Sequence, residues 1–140
     1  MFQVIAKAAR PDFRVIIDLL FEPGREIDTS GNCRYPKDIE WTDLYVKDRE
    51  SDRPPVNIWI PEQYWDDDDN CLQFVFYIES ADVIAEEAVA IYLFDYCGES
   101  ILENQRALNA DERRTLRERY ADLISRANRS VHYAPSEQDA

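Results

Sequence analysis

A chain of 140 residues and 16.5 kDa fits a single domain. Its 29 acidic and 16 basic side chains leave a formal charge of -13, and such a surface repels phosphate, which excludes nucleic-acid binding as the main function. The sequence contains no apolar run as long as a membrane span and no secretory signal, so we expect no membrane partner and a cytoplasmic location.

The N-terminal part of the chain predicts two strands and a long connection. Residues 2–8 alternate between apolar and polar side chains, which is typical of a strand. Residues 13–21 fit either a strand face or a helix face, and we favour the strand because β-branched and aromatic residues dominate the run. Residues 22–40 contain two of the three glycines and no sustained apolar period, so they predict a surface loop.

The middle of the chain predicts more strands. Strand character is found in residues 41–47, 56–60 and 71–78. Both faces of residues 71–78 are largely apolar, which places this strand in the middle of the sheet. Residues 79–88 predict a short helix with Ser80 as its cap, and residues 89–96 predict a further strand.

The last third of the chain predicts one amphipathic helix, from about residue 110 to residue 128. Asn109 and Glu112 have the spacing of a capping box. The apolar stripe of the helix consists of Leu116, Tyr120, Leu123 and Ala127. The predicted fold is a single α+β domain over residues 1–130, with a mostly antiparallel meander sheet packed against this helix, followed by a flexible polar tail at 131–140.

Cysteine and histidine positions argue against a metal site. Cys33, Cys71 and Cys97 are too far apart for a zinc signature, and the single histidine, His132, lies in the polar tail. Reduced thiols are the expected state of the three cysteines. We therefore expect no metal, no cofactor and no disulfide.

Catalytic motifs are also missing from the sequence. The acids that could in principle act in pairs are Glu79, Asp82, Glu86, Glu87 and Asp95. Neighbouring carboxylates are expected by chance in a chain with 29 acids, and no phosphate loop or nucleophile motif accompanies them. The sequence therefore favours a protein that is not an enzyme.

The most distinctive segment is residues 61–70, PEQYWDDDDN. Aspartate is a poor strand former, so the four aspartates predict a loop between two strands. One interpretation is a solvated tip that protects a sheet edge from aggregation, another is a protein-binding loop with aromatic anchors and steering charges, and a third is a weak divalent-metal site. The residues predicted to contact a partner are Tyr64, Trp65, Asp66, Asp67, Asp68 and Asp69.

The charge and the lack of catalytic motifs together favour an acidic binding or inhibitor protein that neutralises a basic protein partner. By analogy of charge and size, bacterial immunity proteins that block toxins or other nucleic-acid-directed enzymes are the nearest class. An acidic secretion chaperone or adaptor that holds an apolar segment is one alternative, and a small metal-dependent enzyme with clustered carboxylates is another. The sequence is also compatible with a homodimer.

Overall fold

The structure is a computed structural model that describes residues 1–7, 9–31 and 41–135. Within these residues the chain forms one antiparallel sheet of eight strands together with four helices, which confirms the predicted α+β fold. Ala8 at the end of the first predicted strand, Cys33 with the rest of 32–40 in the predicted loop, and residues 136–140 of the predicted tail lie outside the described residues.

The elements follow one another along the chain with short connections. The strands are β1 (Phe2–Lys7), β2 (Ile27–Gly31), β3 (Asp43–Asp48), β4 (Val56–Trp59), β5 (Gln63–Asp66), β6 (Cys71–Ser80), β7 (Gly98–Glu103) and β8 (Arg106–Ala107). The helices are α1 (Phe13–Leu20), α2 (Val83–Cys97), α3 (Ala110–Arg119) and α4 (Ala121–Asn128). The strand order is β2-β3-β4-β6-β1-β7-β8, and β5 pairs with the part of β6 that β4 does not reach.

Strand β6 lies in the middle of the sheet, as the sequence predicts. Its side chains alternate between two faces, because successive residues of a strand point in opposite directions. Phe74, Phe76 and Ile78 are buried on the face that we call the inner face. Val75 and Tyr77 are half-buried on the opposite face, which we call the outer face.

The helices form a layer on the inner face. Helix α2 contacts β1, β6 and β7, whereas α1, α3 and α4 pack mainly on α2 and on one another. The C-terminal helices therefore meet the sheet largely through α2. The predicted helix at 110–128 is divided at Tyr120, which ends α3 and precedes α4.

The predicted capping box at the start of α3 is present. Asn109 accepts a hydrogen bond from the Glu112 backbone N at 2.8 Å, and the Glu112 carboxylate accepts one from the Asn109 backbone N at 3.1 Å. Hydrogen bonds from the Arg106 side chain and the Asn109 backbone lower the pKa of Glu112 to about 2. The two hydrogen bonds between Asn109 and Glu112 thus stabilise the first turn of α3.

The prediction of a strand at 13–21 is wrong, since this segment forms α1. Asp12 caps the helix and accepts a hydrogen bond from the Arg14 backbone N at 2.9 Å. The residues buried on its inner side are Val15, Ile16, Leu19 and Leu20. Burial of this helical stripe overrides the strand propensity of the β-branched residues.

The helix predicted at 79–88 is present from Val83 onward, but it continues to Cys97, so the strand predicted at 89–96 is wrong. Its N-cap is Asp82 and not Ser80. The helix is enclosed by the sheet on one side and by other helices on the other, so apolar residues surround most of its circumference. A helix of this kind shows no period of 3.6 residues in its sequence.

Four strands were not predicted from the sequence. The loop prediction at 22–40 is wrong where β2 lies, because β2 is an edge strand of mostly polar residues that pairs with β3 through its backbone. Strand β5 lies within the segment 61–70 that was predicted as a loop, so that prediction is wrong at Gln63–Asp66, and β7 follows α2 without a connecting loop. Gly98 allows this passage, since a Cβ there would lie 2.6 Å from the Phe94 Cα.

The described part of the predicted tail, residues 131–135, lies against α2. The ring of Tyr133 is 6.3 Å from the ring of Tyr96, and the Tyr96 hydroxyl donates to the Ala134 backbone oxygen at 2.6 Å.

Candidate protein-binding site

The acidic segment forms the tip of a β-hairpin. Strands β5 and β6 pair in antiparallel register from Gln63 opposite Phe74 to Asp66 opposite Cys71, and residues 67–70 form the turn. Asn70 has a φ of 53°, a left-handed conformation that asparagine tolerates better than most residues. Among the described residues β1 pairs with β6 as far as Gln73, so the turn lies beyond this paired part of β1.

The two predicted aromatic anchors lie on opposite faces of this hairpin. Tyr64 is opposite Gln73, so it belongs to the outer face, and its hydroxyl donates to Gln73 Oε1 at 2.8 Å. Trp65 is opposite Leu72 on the inner face. The exposed fraction is 53% for Tyr64 and 57% for Trp65. A partner that touches both rings must enclose the hairpin.

Asp66 stabilises the turn. Its Oδ1 accepts hydrogen bonds from the backbone N of Asp68 at 2.9 Å and of Asp69 at 3.4 Å. Its Oδ2 accepts a hydrogen bond from Gln73 Nε2 at 2.6 Å. This carboxylate is therefore used within the hairpin, as in an Asx turn.

Asp69 joins the turn to the neighbouring strands. Its Oδ2 lies 3.3 Å from the Lys7 ammonium, which also lies 2.7 Å from Glu99 Oε1. Hydrogen bonds to Glu99 and Asp69 raise the pKa of Lys7 to about 12. Lys7 therefore connects the turn to β1 and β7 through two ion pairs.

Asp67 and Asp68 remain available to a partner. Both are exposed at the end of the turn, and neither forms an ion pair with any described residue. The four aspartates, which look alike in the sequence, therefore divide into two that maintain the hairpin and two that face solvent.

Sequence analysis did not find the residue that fixes the base of the hairpin, Arg10. Its exposed fraction is 5%, and its guanidinium lies 4.6 Å from the centre of the Phe74 ring. Nη1 donates to the Trp41 backbone oxygen, and Nη2 donates to Gln63 Oε1 at 2.7 Å. The only sequence signal is an arginine next to Pro11 between apolar segments, which does not distinguish a buried arginine from an exposed one.

Four of the five acids considered for catalysis are bound to other groups of the protein. Asp82 caps α2 and lies 3.4 Å from an Arg53 nitrogen. Glu86 accepts a hydrogen bond from the Ser80 backbone N, and Glu79 is exposed at the end of β6. Within the described ranges, no three histidine, cysteine, aspartate or glutamate side chains converge as metal ligands.

Cys97 is not placed as a reactive thiol. It is 1% exposed, and burial raises the pKa of its thiol to about 12. Since the thiolate is the nucleophilic form, this thiol is unreactive at neutral pH.

The arginines of the C-terminal helices are bound to groups of the same domain. Arg117 forms two hydrogen bonds of 2.7 Å with the Asp95 carboxylate, and Arg119 lies 3.1 Å from Glu87 Oε1. Arg126 donates to the backbone oxygens of Asp18 and Leu19 at the end of α1. These side chains connect helices instead of forming a phosphate-binding patch.

A cleft of about 340 Å³ lies beside the end of α1 and is partly cationic. Leu20, Phe21 and Leu123 contribute its apolar wall. Its arginines are Arg25, Arg53 and Arg126, and each is hydrogen bonded to a protein oxygen. The cationic groups of the cleft are therefore already engaged within the protein.

No helix in the described part of the chain is long and apolar enough to cross a bilayer. Comparison of the chain with models of known protein families, with curated proteins and with solved structures gave no match.

Proposed function

We propose that this chain is an acidic binding protein whose β5–β6 hairpin enters a positively charged cleft of a protein partner and blocks it. The observation that carries the proposal is the hairpin tip, where Asp67 and Asp68 are exposed beside the exposed Trp65 and form no ion pair with another described residue. A toxin or another nucleic-acid-directed enzyme has the kind of cationic cleft that such a tip fits.

The carboxylates and the aromatic rings of the hairpin have different roles in binding. Carboxylates at the end of a projecting turn meet a cationic surface first, so they accelerate encounter. Exposed aromatic rings on the two sides of the hairpin lose water contact when the cleft walls close on them, and this lowers the dissociation rate. The hairpin backbone is already ordered by Asp66, Asp69 and Arg10, so binding requires little further ordering.

The experiment measures association with a purified protein first isolated by affinity capture on this chain. Changing Asp67 and Asp68 to asparagine together is expected to slow association about tenfold at low salt, with the difference shrinking as salt is raised. Trp65→Ala is expected to raise the dissociation rate about tenfold. Stopped-flow fluorescence gives both rates.

The matched control is the double variant Glu118→Gln with Asp122→Asn. These two exposed acids on α3 and α4 give the same change in net charge far along the chain from the tip. If the control slows association as much as the tip variant, net charge alone drives encounter and the hairpin is not the site. Binding that is indifferent to salt and to the four substitutions of acidic residues favours a chaperone that holds an apolar segment.

A further inference from the structure

The outer face of the sheet carries six apolar residues among polar ones, and within the described part of the chain no helix covers it. By register its apolar residues are Ile5, Tyr45, Trp59, Val75, Tyr77 and Leu102, and each is only half-buried. The inner-face residues beside them are almost wholly buried, because the helices contact that face. A soluble antiparallel sheet with one solvated face normally carries polar residues there.

An aromatic pair lies at the centre of this face. Trp59 and Tyr77 are directly opposite on β4 and β6, and their ring centres are 5.6 Å apart. Aromatic side chains with one open side are common anchors in protein interfaces. Val75 and Ile5 continue the apolar surface from this pair onto β1.

The outer face is continuous with the hairpin. Tyr64 and Asp66 both project from the outer side of the hairpin, and both are hydrogen bonded to Gln73. Gln73 is two residues from Val75 on the same face of β6. A molecule bound to the hairpin from this side therefore also covers the sheet.

The charges that border the face determine which molecule fits. By register the face carries the acids Asp28, Asp43, Asp66 and Glu79 and the lysines Lys7 and Lys47. Lys7 is engaged by Asp69 and Glu99. A second copy of the chain would bring the same acids and a further charge of -13, so self-association is disfavoured and a basic surface is favoured.

The size of the face agrees with a shared interface. Five strands spaced by about 4.8 Å and about six residues long give about 400 Å², half of the roughly 800 Å² that each partner buries in a typical stable complex. The face alone is thus too small, and the adjoining hairpin supplies additional area.

We infer that the outer face is the apolar part of the interface for the same basic partner, which presents apolar side chains ringed by lysine and arginine. This inference rests on the proposed function. The hairpin steers and anchors the partner, while Trp59, Tyr77 and Val75 form the area against which its apolar side chains pack.

The test uses two synthetic peptides of equal length and charge, one of leucine and lysine that forms an amphipathic helix, and one with serine in place of leucine. The full chain, labelled with ¹⁵N, carries a reporter in each region. The Trp59 indole reports on the outer face, the Trp65 indole reports on the inner side of the hairpin, and the buried Trp41 indole, which donates to the Pro11 backbone oxygen at 2.9 Å, is the internal control.

The leucine peptide is expected to shift the Trp59 indole signal and the amides of β6 and β1, and to bind about tenfold more tightly than the serine peptide. Shifts confined to the hairpin overturn this inference and leave the proposed function standing. Shifts confined to the helices oppose both, and failure of the leucine peptide to bind better than the serine peptide overturns the inference.

Substitutions make the test specific to the face. Val75→Lys is expected to weaken binding of the leucine peptide about tenfold, because it removes apolar area and adds a repelling charge. Val131→Lys, at a residue 92% exposed after α4, is the matched control and is expected to change binding less than about twofold. Tyr77→Thr keeps a strand-forming residue and is the second variant if Val75→Lys lowers the melting temperature.

Equal weakening by Val75→Lys and Val131→Lys overturns the inference. Sedimentation of the chain alone tests whether a second copy of the chain covers the outer face instead. A dimer that Val75→Lys abolishes would show that a second copy covers the outer face, and this result also overturns the inference.

Discussion

Arg10 is a cation in the interior of an acidic protein, and it contacts three separate segments of the chain. It stacks on Phe74, donates to Trp41 and donates to Gln63. A planar guanidinium can satisfy several acceptors at once, whereas a lysine ammonium has neither the fork nor the flat surface. Arg10 therefore determines where β5 lies relative to the core.

Replacement of Arg10 by alanine is expected to lower the free energy of unfolding by about 3 kcal/mol, because it removes buried packing and leaves the Trp41 carbonyl without this donor. Urea denaturation measures the change. Arg114→Ala is the control, since Arg114 and its partner Asp111 are 62% and 79% exposed and such pairs contribute at most about 1 kcal/mol. Equal effects at the two sites would show that Arg10 is not a structural contact.

At the residue scale, the sequence predicted which segment is acidic and aromatic but not how its members divide. The residues of β6 around Gln73 could not be assigned partners on β5, because the segment that forms β5 was predicted as a loop. Without that register, neither the opposite orientation of Tyr64 and Trp65 nor the use of Asp66 within the turn could be derived. Both depend on cross-strand pairing, which is not a local property of the sequence.

At the scale of elements, local patterns identified strands β1, β3, β4 and β6 and the capped start of α3. They failed for α1 and for the second half of α2, where a helix is built from β-branched and aromatic residues that favour strands. In α2, burial on several sides removed the polar face that identifies a surface helix. The stripe in the C-terminal helices was predicted, but not the interruption at Tyr120, whose hydroxyl donates to Glu87 Oε1 at 2.5 Å.

The apolar stripe of α3 and α4 predicts that a change from leucine to aspartate lowers stability by unequal amounts at two of its positions. Leu116 is 6% exposed, and the adjoining hollow is lined by the acids Glu87, Glu103 and Glu112. A new carboxylate at this position would be buried beside like charges, so Leu116→Asp is expected to lower the free energy of unfolding by about 3 kcal/mol. Leu123 is half-buried at the margin of the cleft beside α1, and Leu123→Asp is expected to cost about 1 kcal/mol.

Thermal unfolding followed by circular dichroism ranks the two variants. If Leu123→Asp were the more damaging of the two, the packing around Leu123 would have to be tighter than that around Leu116, in contrast to the burial of these two side chains.

At the scale of the whole molecule, the negative charge is distributed unevenly. Residues 1–105 carry 23 acidic and 9 basic side chains, whereas residues 106–140 carry 6 and 7. The basic residues of the C-terminal helices neutralise acids of α2, as Arg117 does for Asp95 and Arg119 for Glu87. The sheet and its hairpin consequently retain most of the excess charge.

The central position of β1 has a consequence for biosynthesis. This strand leaves the ribosome well before its neighbours in the sheet, which are β6 and β7, with Phe2 opposite both Ile78 and Glu103. At about 5–20 residues per second, roughly 5–20 seconds pass before β7 has been made. During that time the apolar side of β1 has no complete sheet to join.

Ribosome-bound nascent chains that end at Cys97 are therefore expected to be cleaved rapidly by a protease, and chains that present β7 outside the exit tunnel are expected to resist it. Proteolysis of nascent chains of graded length measures the point at which protection begins. Protection that began before β7 emerges would mean that β1 and β6 form a stable pair by themselves. Until β7 has emerged, the apolar side of β1 is exposed, and we expect chaperones that act at the ribosome to bind it.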